Sequence, residues 1–132
     1  MFDTLSIKTT RRIQMVDITS DVERLASEKK VKSGIACIFV PHTTAAITIN
    51  ESADPSVKTD ITTKLNEIVP ENGKYVHLEG NSDSHIKTTL AGASEQIIID
   101  SGKLVLGNWQ NIYFCEFDGP RNRKAYVKII GQ

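Results

Sequence analysis

The chain has 132 residues, with 16 Lys+Arg against 16 Asp+Glu and a formal net charge of +0. That balance excludes the basic footprint of a nucleic-acid binder, and no apolar run approaches the ~18 residues of a membrane span. The length suits one domain, residues 1–132, which can bury a core without disulfide or metal staples.

The opening residues, MFDTLSIKTTRR, alternate in character and lack an apolar signal region. The two cysteines, Cys37 and Cys115, lie in the strand-like runs GIACIFV and IYFCEF, as reduced core residues of a cytoplasmic protein do.

In chain order, Phe2 to Met15 reads as two strands joined near Thr9–Arg12. Ile18, Val22, Leu25 and Ala26 then recur at helical spacing, Ser20 and Glu23 resemble a capping box, and Gly34 lies just past the helix end. Ile35 to Val40 is a near-continuous apolar run, which predicts a strand buried on both faces. Pro41 interrupts it, and Thr44 to Asn50 alternates as a second strand, so His42 sits at a break between the two. A second helix starts at the N-cap Asp54 with Pro55 in its first turn, carries the stripe Val57, Ile61, Leu65, Ile68, and ends by Pro70. A short helix is predicted from Ser82 or Asp83, with Ile86 and Leu90 inward and Gly92 as its stop.

The last third is β-rich: a hairpin across Ser101-Gly102, a strand from Trp109 to Phe117, the turn DGPRN, and a strand over Arg123–Ile130. The outline is ββ-α-ββ-α-α-ββββ. Consecutive strands with short connections argue for antiparallel pairing and an α+β fold. The helices are expected to cover one sheet face, and a second sheet or a partner chain the other.

Three groups of residues could carry chemistry. The first is the chain's three histidines, His42, His77 and His85, which could converge as a three-imidazole metal site with one position open. No local spacing rule demands this, and satisfied core or surface histidines are the plainer alternative. The second is carboxylate: Glu51 at a strand end and Glu79 are candidate bases, whereas Asp54 and Asp83 suit helix caps. The third is LGNWQNIYFCEFDGPRNRK. Trp109, the only tryptophan, is more simply a core residue; Glu116 and Asp118 point the same way at period two. Arg121, with Arg123 and Lys124 nearby, could clamp phosphate together with free N–H groups at the start of the helix carrying His85. The plainer reading of Arg121 is a solvated partner of Asp118.

Three ordered blocks, VPHTTAAITINESADP, then HLEGNSDSHIK with LAGAS, then GKLVLGNWQNIYFCEFDGPRNR, together resemble the secondary thiamine-phosphate synthase family, also called the YjbQ-like family. The resemblance spans nearly the whole chain. It implies antiparallel sheets packed as a sandwich with two to three flanking helices, assembled as a homotrimer with a pocket near the subunit interface. It places His42, His77 and His85 at the family's histidine positions, with zinc the favoured metal and magnesium the alternative on a pyrophosphate. It departs from the family pattern at Asn108 and Asn111, where threonine and glycine are common. The activity it implies joins an aminopyrimidine diphosphate to a thiazole phosphate, with Arg121 on phosphate and Trp109 under the pyrimidine. The alternatives are a zinc-dependent hydrolase of a small phosphorylated or acylated metabolite, and a non-catalytic ligand-binding trimer.

Overall fold

The computed structural model describes residues 1–132. Its elements follow the expected order: β1 (Asp3–Lys8), β2 (Gln14–Asp17), α1 (Thr19–Glu28), β3 (Ser33–Phe39), β4 (Ala45–Glu51), α2 (Pro55–Ile68), α3 (Ser82–Ala91), β5 (Ser94–Asp100), β6 (Lys103–Leu104), β7 (Gln110–Glu116) and β8 (Asn122–Gly131). Two antiparallel sheets result, one ordered β1-β8-β3-β5-β6 and the other β2-β7-β4. The fold is α+β, and no helix is long and apolar enough to cross a membrane.

The pairing differs from the sequence expectation in one respect that matters for the site. Only β5 and β6 pair as consecutive strands, across Ser101 and Gly102, which both take the positive φ a tight hairpin loop requires. The four other short connections carry the chain between the sheets: β1 to β2 through Thr9–Arg12, β3 to β4 through Pro41 and His42, β6 to β7 through Val105–Trp109, and β7 to β8 through Asp118–Arg121. Pro41 lacks the N–H that would extend the ladder. The β1–β2, β3–β4 and β7–β8 crossings are tied together at one end of the molecule. Thr9 N–H donates to Arg121 O, Gly119 N–H to Arg12 O and Phe117 N–H to Thr44 O, at 3.0, 2.9 and 3.2 Å.

The core lies between the sheets, where Leu5, Ile7, Ala36, Ile38, Ile97, Ile99, Ala125 and Val127 meet Ala45, Ile47, Ile112 and Phe114. α1 closes one side with Ile18, Val22, Leu25 and Ala26. Its N-terminus is not the expected capping box: the Asp17 carboxylate accepts from Thr19 N–H at 3.0 Å, and Ile18 holds the cap position without a side-chain bond. Asp54 does cap α2, accepting from Ser56 N–H at 2.9 Å.

Three burial expectations are corrected. The β3 run is buried on one face only: Ala36 and Ile38 face the core, while Ile35 and Phe39 are 41% and 46% exposed, because no layer covers the outer face of the larger sheet. The α2 stripe rests on the outer face of the smaller sheet without full burial, and Ile68 is exposed. On α3, Ile86 and Leu90 face solvent, and the buried side is polar: Asp83, Ser84, Lys87 and Thr88. Asp83 is not a helix cap. It is fully buried, accepts from Arg12 at 3.0 and 3.2 Å and from Lys87 Nζ at 3.0 Å, and anchors the helix to the β1–β2 crossing.

Candidate functional site

The β3–β4 and β7–β8 crossings and the start of α3 enclose an open cleft of about 600 Å³. His42 and Thr43 come from the β3–β4 crossing, Arg121 and Arg123 from the β7–β8 crossing, and Glu79 and His85 from the approach to α3 and its first turn. Four of the residues singled out from sequence, His42, Glu79, His85 and Arg121, thus share one cleft.

Arg123 is the best-anchored of these groups. It sits on β8 in phase with the core residues Ala125 and Val127, so its side chain turns inward and is 5% exposed. Glu116, at the end of β7, neutralises it through a two-point contact, Nε to Oε1 at 2.9 Å and Nη2 to Oε2 at 2.5 Å. Arg123 Nη2 also donates to Thr44 Oγ1 at 2.8 Å. Burial alone would push the Glu116 carboxyl up. Hydrogen bonds from Arg123, Thr9 and Asp118 N–H outweigh that and hold it below the usual carboxylate range.

Arg121 is half exposed and held by Asp118: Nε donates to the Asp118 carbonyl at 2.7 Å and Nη2 to its Oδ2 at 3.0 Å. Asn81 Nδ2 donates to the same Oδ2 at 2.9 Å, so Asp118 couples Arg121 to the start of α3. The Nη1 atoms of Arg121 and Arg123 have no hydrogen-bond partner within the chain. The first N–H groups of α3, on Ser82 and Asp83, are also without backbone partners, as helix geometry dictates. Ser82 and Asp83 do not line the cleft, so its donors are the side chains of Arg121, Arg123 and their neighbours.

The histidines split. His77 and His85 stand edge to face with ring centroids 5.5 Å apart, and His77 Nε2 lies 3.7 Å from Glu79 Oε2. His42 lines the cleft from the β3–β4 crossing, with Nε2 accepting from Lys124 N–H at 2.9 Å. Burial and the neighbouring Arg123 cation push its pKa down. No group of three or more His, Cys, Asp or Glu side chains in the chain is arranged to hold a metal ion. As placed, the donor set does not fit the zinc that the resemblance implies, because a metal bound by all three imidazoles would have to displace Lys124 from His42.

Glu51 and Trp109 lie elsewhere. Ala45 pairs with Glu116 at the cleft end of the β4–β7 ladder, and Glu51 pairs with Gln110 at the other. Six steps of about 3.4 Å put those ends roughly 20 Å apart. Trp109 follows Glu51's end of the ladder, its carbonyl accepting from Ser52 N–H at 2.8 Å, and it is 66% exposed rather than in the core. Cys115 is buried, with its thiol pushed up to about 12 by burial, which makes it inert.

Sequence reasoning named Arg123 and Asp118 only as neighbours of Arg121 and gave Asn81 no role in the site. For Arg123 a signal existed: it shares the period-two face of Ala125 and Val127, and an arginine in a core-facing position needs a buried partner.

This sandwich, with its cleft at the sheet-crossing end, defines a class of small α+β proteins. Residues 3–132 match the family described as "UPF0047 protein YjbQ-like", and the chain belongs to that family. It is 61% identical over 125 residues to the UPF0047 protein MJ1081 of Methanocaldococcus jannaschii, covering 95% of this chain and 91% of that one. It is 52% identical to the UPF0047 protein YugU of Bacillus subtilis, covering 99% and 100%. A crystal structure of a YjbQ/UPF0047-family protein from Clostridium acetobutylicum, 55% identical, superposes with a TM-score of 0.96 over 97% of this chain and 99% of the other. A YbjQ-like protein of unknown function from Sulfolobus solfataricus, 38% identical, also gives 0.96, over 100% and 97%.

Proposed function

We propose that this chain is a transferase acting on phosphorylated small molecules, of the thiamine-phosphate synthase type: it joins an aminopyrimidine diphosphate to a thiazole phosphate and releases pyrophosphate. One observation carries the reading. Two arginines with free guanidinium nitrogens, two imidazoles and the Asn81 side chain converge on one cleft. That donor set suits an anion whose charge grows as pyrophosphate leaves. Arg121 and Arg123 would take the phosphate oxygens, and Glu79 is the carboxylate near enough to accept a proton.

The reading extends to assembly. Trp109 and Glu51 are too far from the cleft of their own chain to touch a ligand there. A homotrimer in which the open face of the larger sheet is covered could bring one chain's Trp109 end to another chain's cleft. Ile35, Ile98 and Ile130, cross-strand neighbours on β3, β5 and β8, are 41%, 62% and 56% exposed and supply an apolar face for that contact.

The test is to mix the purified protein with the two phosphorylated precursors and assay thiamine phosphate. Arg121→Ala is expected to lower the rate by about 100-fold or more. Product no greater than that of a folded Arg121→Ala control would refute the transferase reading. Retained binding of pyrophosphate would then favour a non-catalytic ligand-binding role.

A further inference from the structure

We infer that His42 serves the cleft as a neutral hydrogen-bond donor through Nδ1–H, for a phosphate oxygen of the ligand, and is neither its base nor a metal ligand. The substrate side of this inference rests on the phosphate-binding reading above; the role of the ring itself does not.

The inference starts from the β3–β8 ladder. Its last paired residues are Phe39 and Tyr126, and Pro41 then ends β3. Beyond that point Lys124 N–H finds its acceptor in the imidazole Nε2 of His42, at 2.9 Å. A backbone N–H can only donate, so Nε2 must carry a lone pair. A neutral imidazole has one N–H, which is therefore on Nδ1. The lone pair that a zinc ion or a transferable proton would need is already engaged by the main chain. Protonating the ring would set an N–H against the Lys124 N–H and break the bond.

The surroundings agree with a neutral ring: burial and the Arg123 guanidinium both disfavour the cation. What remains free is Nδ1, on a residue that lines the cleft beside Arg123. Such a group polarises a ligand oxygen by hydrogen bonding and keeps its proton. Of the other carboxylates and imidazoles lining the cleft, Asp118 is engaged by Arg121 and Asn81, which leaves His85 and Glu79 to move protons.

The experiment reads the ring directly and then its contribution. Imidazole nitrogen NMR on the uniformly labelled full chain near neutral pH should show His42 as the Nδ1–H tautomer, unchanged by one equivalent of zinc. Addition of inorganic pyrophosphate should shift the Nδ1–H resonance. Two variants separate the nitrogens. His42→Gln offers an acceptor near Nε2 without the Nδ1 donor. His42→Asn offers a donor near Nδ1 without the Nε2 acceptor. Pyrophosphate affinity should fall about tenfold or more in His42→Gln and stay within about threefold of wild type in His42→Asn. An Nε2–H tautomer, a zinc-induced shift of the ring nitrogens, or equal losses in the two variants overturns the inference. If wild type binds no pyrophosphate, the phosphate reading fails and the donor role falls with it. The tautomer and zinc measurements then still decide the ring's exclusion as base and metal ligand.

Discussion

Arg123 is nearly buried because Glu116 is there to meet it. Removing one member of a buried pair leaves a charge without a partner, so Glu116→Gln should cost about 3–5 kcal/mol, read as a lower urea midpoint with unchanged slope. The pH dependence has a definite sign. The Glu116 carboxyl lies below its ordinary value of 4.5 in the folded chain. Its contribution is therefore present above that value and lost as pH falls through the lowered one. Acid titration of stability should be flatter below pH ~4 in Glu116→Gln than in wild type. Gly119 shows a second constraint of the same turn. A methyl there would collide with the Arg11 carbonyl and lie 2.8 Å from Glu116 Cγ. Gly119→Ala should cost about 1–3 kcal/mol and loosen Arg123, seen as weaker pyrophosphate binding alongside the lower stability. Much of this residue-scale picture was readable: CEFDGPR announced a turn flanked by carboxylates and arginines. Whether a given carboxylate was buried was not readable, because that depends on Thr9 and Thr44, which reach Glu116 and Arg123 from distant parts of the chain.

At the scale of elements, α3 shows where periodicity misleads. Ile86 and Leu90 suggested an apolar inner face, yet the helix buries Asp83 and Lys87 one turn apart, with Arg12 and Asn66 completing the polar set. A helix seated through ion pairs and hydrogen bonds has no stripe to read. Asp83→Asn should cost about 3–5 kcal/mol by leaving Lys87 and Arg12 partly unmatched. The paired change Asp83→Leu with Lys87→Met should recover a large part of that loss in thermal unfolding. By contrast Asp54, Pro55 and the Ser101-Gly102 hairpin were legible because local geometry alone decides them.

For the whole molecule, the element order was readable from breaks and periods, but the assignment of strands to sheets was not. Short connections signal neighbours in sequence, and four of them here switch sheets instead of forming hairpins. The β3 run carried a further message: it is apolar on both sides, yet this chain covers only one of them. Ile98→Glu, which puts a charge on the open face, should shift sedimentation toward the monomer while leaving far-UV dichroism unchanged. A wild-type protein that is already monomeric at micromolar concentration would refute the proposed trimer.

The two arginines of the cleft are each matched by a carboxylate, Arg123 by Glu116 and Arg121 by Asp118. The cleft thus offers directed donors with little excess positive charge, on a chain whose formal net charge is +0. An anion approaching from a distance feels almost no pull, and recognition begins only at contact. Added salt should therefore slow capture and weaken affinity far less than it does for proteins that gather phosphates with a basic surface.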